Sequence, residues 1–337
     1  MADTPKKPTS FDVARLAGVH RSQVSRALSG QGRMSDDTRQ KVIDSARQLG
    51  YRVNFLARSL QSRSSGLVGI VASRLDTPYR ATQVRAAARE FLANGFTPIL
   101  VTAEGGEDQS GLVERLLNYS VSGMMITSGT PSNSIIDECA QLNVPVVLIN
   151  RNAALEGADH VLIDVDAAGQ LAFDMLVERG GQRFAVLQPR DRTYSVLGRA
   201  SAFSDRCRAA GYCVDVLEVD SQDYDAGLAA ADGFVQQSMA DSVFCTTDLL
   251  ALGFLDGLRV RHGVSIPDQV QVLGFDDIPQ AAWLSNSLST IWQASEDAAT
   301  EAVNLILERI TDPTRPHETF HIPLRPVHRG TTRKTRP

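Results

Sequence analysis

Arg21, Ser22, Gln23 and Arg26 sit at helical spacing near the amino end and carry hydrogen-bonding groups, two of them guanidiniums. A guanidinium can grip O6 and N7 of guanine together, and a helix is the element that the major groove admits. The chemistry these side chains offer is the reading of base edges in double-stranded DNA. A second set of candidates lies far downstream, where Arg199 and Asp276 each follow a short apolar run. A cation and a carboxylate facing one crevice suit a ligand with both acceptors and hydroxyl donors, such as a sugar.

The first set needs a helix, a tight turn and a second helix over residues 9 to 29, TSFDVARLAGVHRSQVSRALS. Thr9 is placed to cap the first helix, with Asp12 in the capping-box position. Val13, Leu16 and Ala17 are expected on its inner face, and small Ala14 permits close approach of the second helix. Gly18 suits a left-handed turn residue. The second helix is expected from about Arg21 to Leu28, with Val24, Ala27 and Leu28 inward and the four polar residues outward. The plain alternative is an αα-hairpin with a solvated basic face. DVA before the turn, VSRAL after it and a third amphipathic helix weigh for DNA. That third helix is expected to start at Ser35 and to carry Val42, Ile43, Ala46 and Leu49 on one stripe.

Charge is divided along the chain. Residues 1–65 hold 12 Lys and Arg against 5 Asp and Glu, whereas the rest holds 22 against 34. Phosphate contact is therefore expected at the amino end only. The chain is 337 residues long and 43% hydrophobic, ample for several domains. No signal peptide or membrane-length apolar run is read, so a cytoplasmic protein without membrane contact is expected. Cys139, Cys207, Cys213 and Cys245 are scattered, which predicts free thiols and no structural zinc. No Walker loop, G-x-G-x-x-G, H-E-x-x-H or G-x-S-x-G is found. His317 and His321 fall in an extended, Pro-flanked run read as a solvated strand. Catalytic residues, a cofactor and a metal are not expected.

From Leu67 the pattern alternates short β-rich runs with amphipathic segments. Strands are expected over 67–72, 96–101, 123–127, 145–149, 160–163, 183–187, 213–217, 242–245, 270–274 and 288–292. Helices are expected over 81–94, 168–179, 199–210, 225–238 and 249–261. Such alternation implies parallel sheets with helices on both faces, and ten strands imply two lobes. Open α/β lobes bind ligands beyond the carboxyl ends of their strands. Tyr79, Arg80, Asn150, Arg151, Ser195, Arg199, Thr247, Asp248 and Asp276 fall there. Asp248 is expected to cap the helix of 249–261 and is set aside. For Asp276 the competing role is a cap for a helix near Pro279, and for Arg199 a surface ion pair.

DVARLAGVHRSQVSRAL resembles the headpiece of the LacI/GalR family of transcriptional repressors. The likeness continues through LGYRVNFLARSL, VPVVLIN, VLGFDD and RGTT, over nearly the whole chain. The resemblance implies an all-α helix-turn-helix headpiece (1–53) and a hinge helix with linker (54–65). It also implies an α/β body of two lobes with parallel sheets, of the periplasmic-binding-protein type I (66–330). One lobe would be about 66–163 with 294–322, and the other 165–290 with 324–329. DNA contacts are implied for Arg21, Ser22, Gln23 and Arg26, and at the hinge for Asn54, Ala57 and Leu60. Leu60 matches the residue that wedges into the minor groove. Val53 replaces the usual Pro of the hinge, and His20 replaces a capping Ser, an expected weaker start for the recognition helix. The implied pocket is Tyr79, Arg80, Asn150, Ser195, Arg199, Tyr224, Thr247, Asp276 and Gln293. Arg80 stands where the family usually has an aromatic, and Thr247 where it often has Asn. The implied partners are a near-palindromic operator, a second copy of the chain and a sugar or sugar-acid effector. The competing classes are a sugar-binding transport protein, which would not need residues 1–62, and an α/β enzyme, which would need a catalytic constellation.

Overall fold

The structure is a computed structural model that describes residues 8–29, 34–52, 65–102, 110–127, 131–151, 155–190 and 194–334. Val53, Asn54, Ala57 and Leu60 lie outside the described residues. The chain falls into two compact units, Met1–Ser65 and Gly66–Pro337.

The first unit contains α1 (Ser10–Ala17), α2 (Arg21–Ser29) and α3 (Asp36–Gln48). Asp12 Oδ2 accepts from the Thr9 amide at 2.9 Å and the Thr9 hydroxyl at 2.7 Å, which fixes the start of α1. Gly18 ends it at φ 67°, and Ser35 caps α3 through the Thr38 amide. The three helices share a core of Val13, Ala14, Val24, Ala27, Val42 and Ala46. Leu16 departs from expectation and is 46% exposed. At roughly 100° per residue, Val13, Ala17 and Ala14 span one arc and Leu16 lies about 60° outside it.

In the second unit, a six-stranded sheet has the order β11-β5-β4-β3-β1-β2, every pair parallel. Its strands are β1 (Leu67–Ala72), β2 (Thr97–Thr102), β3 (Met124–Ile126), β4 (Val146–Ile149), β5 (Asp159–Leu162) and β11 (Thr319–His321). A four-stranded parallel sheet has the order β7-β6-β8-β9, from β6 (Phe184–Pro189), β7 (Val214–Val219), β8 (Ser242–Cys245) and β9 (Gln271–Leu273). Helices α4 (Pro78–Ala93), α5 (Ser110–Asn118), α6 (Asn133–Gln141) and α11 (Ser295–Thr311) go with the larger sheet. Helices α7 (Val165–Val177), α8 (Tyr194–Ala209), α9 (Tyr224–Gln237) and α10 (Asp248–Asp256) go with the smaller. All four residues of β4 and of β8 are buried, as strands covered on both faces require.

The strand expected over 288–292 behaves differently. It runs Thr290–Gln293 as β10 and pairs antiparallel with β12 (Leu324–Val327). Only isolated bridges, Leu273 to Ser289 and Asp276 to Trp292, attach it beside β9. The physical reason is its errand: after Gln293 the chain must leave one lobe for α11 in the other. The chain passes between the sheets after β5, after β10 and between β11 and β12. Arg325 lies over the Trp292 ring, 3.7 Å from its centre, on this crossing ribbon. A buried bidentate pair, Arg309 Nε and Nη2 on Asp159 at 2.8 and 2.7 Å, anchors α11 to β5.

Two glycines bring α9 and α10 into backbone contact. A Cβ on Gly227 would lie 2.2 Å from the Leu250 carbonyl oxygen, and one on Gly253 would lie 1.9 Å from that of Tyr224. Among the described residues no helix is long and apolar enough to cross a membrane, and no cluster fit to hold a metal occurs. Gly253→Ala should force these helices apart and destabilise the second unit by about 1–3 kcal/mol. Urea unfolding should show the midpoint fall; an unchanged midpoint would contradict the close packing.

Candidate functional site

Helix α2 starts on an imidazole. His20 Nδ1 lies 3.3 Å from the Ser22 amide and 2.9 Å from the Ser22 hydroxyl, while Gln23 Oε1 accepts from the His20 amide at 3.1 Å. The expected weak start is therefore a reciprocal cap, and Gln23 serves it from a half-buried position. Arg21, Ser22 and Arg26 are exposed. The Arg21 guanidinium stacks over Phe11, 4.6 Å from the ring centre, and its Nε donates to Ser10 Oγ at 3.1 Å. Phe11 and Ser10 were not legible as partners of Arg21, because a contact across the turn has no helical spacing.

In the second unit, one hydrogen-bonded chain joins both lobes. The Tyr79 hydroxyl donates to Gln293 Oε1 at 3.1 Å, and Gln293 Nε2 donates to Asp276 Oδ1 at 2.5 Å. Tyr79 comes from the first turn of α4, Gln293 from the end of β10, and Asp276 from the loop after β9. Arg80, next in α4, donates to Gln83 Oε1 at 2.7 Å. Arg199, on α8, is 3% exposed; Nε and Nη2 both donate to the Thr246 carbonyl, at 3.0 and 2.5 Å. Its guanidinium lies flat on Phe275, 3.9 Å from the ring centre. Among the described residues neither Arg80, Arg199 nor Asp276 has an oppositely charged group within ion-pair distance. Asp276 sits at φ 124°, a conformation strained for any side chain but glycine, with Asp277 following at φ 54°. It does not cap the short 3-10 turn Pro279–Ala282.

The other expected residues divide. Asn150 is buried at φ 53°, and its Oδ1 accepts from the Ile163 amide at 2.9 Å, so it ties the ends of β4 and β5. Ser195 is buried in the first turn of α8. Thr247, not Asp248, caps α10, through the Leu250 amide. Tyr224 stands apart: its hydroxyl donates to Asp256 at 2.6 Å and the residue is 37% exposed. The Gly227–Gly253 crossing sets Tyr224 beside α10 and hands its hydroxyl to that helix's last residue. One buried group escaped the sequence reading, and another was given the role of its neighbour. Gln83 is fully buried, and its position four residues after Tyr79 and three after Arg80 was the available signal. Asp248 is also fully buried; it accepts from the Ile278 amide at 2.8 Å and bonds the Thr290 hydroxyl at 2.6 Å.

Residues 11–54 match the model of bacterial regulatory proteins of the lacI family, and residues 173–332 match a periplasmic binding protein-like domain. The ribose operon repressor of Bacillus subtilis is 30% identical over 330 residues, 97% of this chain and 99% of that protein. The chain belongs to the LacI family. It is an effector-responsive, DNA-binding transcriptional regulator and not an enzyme. A cellobiose complex of the regulator CelR superposes with a TM-score of 0.71 at 27% identity, covering 96% of this chain and 99% of that one. The lac repressor dimer bound to operator and the anti-inducer ONPF shares the fold, with a TM-score of 0.87 at 21% identity, covering 98% and 100%.

The electrostatics of this LacI-family body are dominated by burial. Burial pushes the Tyr79 phenol up, so it remains a donor, and acts against the charge on Arg80 and Arg199. Burial raises Asp276 to about 6, opposed mainly by Arg199. Asp248 is raised further, to about 8, by burial and then by the charge of Asp276. In the unfolded chain both would ionise near pH ~4. Over the interval the folded protein keeps protons that the unfolded chain has lost, so stability falls as pH rises. Asp248→Asn should end that fall about one pH unit above 6, as Asp276 finishes titrating, whereas the parent continues through about 8. Melting temperatures read from pH 5 to 9 check this; parallel curves for the two proteins would show Asp248 ionised throughout.

Proposed function

We propose that the protein is a cytoplasmic homodimeric repressor that binds a near-palindromic operator and releases or grips it according to a sugar-like effector. Residues 1–53 would be the DNA-reading headpiece, 54–65 the hinge, and 66–330 the body for effector binding and dimerisation. The observation that carries the effector reading is the arrangement of Arg199 and Asp276. Each is buried or half-buried, each influences the other electrostatically, and neither has a direct ionic partner among the described residues. A polyhydroxylated ligand can supply acceptors to the first and donors to the second. Ribose and cellobiose in the names of the relatives point the same way. Tyr79, Arg80, Asn150, Ser195, Thr247 and Gln293 would complete the site, and Tyr224 would lie at its margin.

One recognition helix reads few base pairs, so two headpieces on two half-sites supply the specificity. Arg21 and Ser22 are assigned to base edges, and Arg26 to a base or phosphate. Gln23, occupied at the cap, supports them. In the hinge, Asn54, Ala57 and Leu60 are assigned to the minor groove. Effector in the crevice favours one angle between the lobes, and that angle sets whether two hinges meet.

Arg21→Ala should lose about 1–3 kcal/mol of discrimination between operator and scrambled DNA, with the effector-induced rise in melting temperature retained. Fluorescence anisotropy on both duplexes measures the first and a thermal-shift assay the second. Equal discrimination in parent and variant would remove Arg21 from the interface. Operator affinity should also fall steeply with salt, by counterion release.

A further inference from the structure

The two guanidiniums in the crevice outnumber the carboxylates that are ionised there. Arg80 and Arg199 are permanent cations. Asp276 is ionised at neutral pH, and Asp248 is largely held as its neutral acid. Asp276 faces Arg199 more strongly than Arg80, and Arg80 also feels the repulsion of Arg74. Of Arg80, Arg199 and Asp276, the cation left without a balancing carboxylate is Arg80.

The surroundings of Arg80 sharpen this. It occupies the first turn of α4, where the aligned peptide dipoles already favour negative charge. That turn holds no acidic residue, and the N-cap Thr77 makes no capping hydrogen bond; its hydroxyl donates to the Arg74 carbonyl instead. Beside it, the side chain of Gln83 is fully buried, with Oε1 taken by Arg80 and Nε2 turned toward the Tyr79 phenol without a well-formed hydrogen bond. A buried amide donor left unmatched is costly, and an acceptor supplied from outside would relieve it. A helix amino end, a guanidinium with no ionic partner among the described residues and a poorly matched amide N–H together describe a receptor for a small anion.

We propose that the effector is a sugar carboxylate, whose single carboxylate seats on Arg80 at the amino end of α4 while its hydroxyls bridge Arg199 and Asp276. This rests on the reading of the crevice as the effector site. A monoanion balances the surplus charge, whereas the dianion of a phosphate ester would exceed it and set a second negative charge against Asp276. A neutral sugar would leave Arg80 and Gln83 as they are.

Isothermal calorimetry on the full-length protein tests this. The ligands are D-galacturonate, D-glucuronate and D-gluconate, with D-galactose, D-glucose and glucose 6-phosphate for comparison. At least one acid should bind about tenfold or more tightly than its parent sugar, the usual worth of a charged hydrogen bond. Arg80→Gln should cancel that preference by weakening the acid, and Arg199→Gln should weaken acid and sugar alike. Equal affinity for acid and sugar, tighter binding of the phosphate ester, or no binding of any acid by the parent protein would overturn the proposal. A neutral sugar that binds the parent and is lost in Arg199→Gln overturns the carboxylate but leaves the crevice reading standing. An acid that binds equally well to both variants overturns both.

Discussion

One primary amide, that of Gln293, holds the functional body in register. Its oxygen takes the hydroxyl of Tyr79 from the lobe of the six-stranded sheet, and its nitrogen reaches Asp276 in the lobe of the four-stranded sheet. It stands at the end of β10, where the chain itself crosses between lobes. An amide is suited to this place because it donates and accepts from two ends of one rigid group. A carboxylate there would repel Asp276, and an apolar residue would leave two buried polar groups unmatched. Because the relay joins the two lobes, a ligand that displaced either neighbour of Gln293 would act on the contact between them.

Around that relay the body keeps charges that it does not neutralise internally. Arg199 is satisfied as a hydrogen-bond donor by a carbonyl and as a cation by the face of Phe275, so its position is fixed while its charge remains available. Asp276 is held by strained backbone rather than by a counter-ion. The contrast with Arg309 and Asp159 is instructive. That pair is bidentate, closed and buried, and it anchors a helix to a strand. The same residue types serve structure where they meet, and are left open to the proposed ligand where they are held apart.

Much of this was legible in the sequence. Alternation of apolar runs located the strands, and the one expected over 242–245 occupies those residues. Helix starts were less legible. Helix α4 begins at Pro78 rather than near 81, because proline is preorganised for a first turn that apolar periodicity does not mark. Periodicity also put Leu16 inside, since it counts apolar residues and not the partner's position. The exchange of roles between Thr247 and Asp248 had a different origin. Both can cap, and only the packing of Ile278 and Thr290 against α10 decides which is drawn inward. Gln83 was overlooked because a lone glutamine in a helix reads as surface, although its spacing put it on the face of Tyr79 and Arg80. Tyr224 was placed by likeness alone, and a contact between α9 and α10 that depends on two glycines draws its hydroxyl to Asp256.

The chain has two tryptophans, and their placement gives the molecule a built-in optical gauge. Trp283 is largely exposed, whereas Trp292 lies on the crossing ribbon, under the guanidinium of Arg325 and immediately before Gln293. A change in lobe angle must shear β10 against β12 or move both together, and either alters the field at that indole ring. On the proposed mechanism, emission from Trp292 would report the change in lobe angle with no label attached, while Trp283 would supply a solvent-facing background against which to read it.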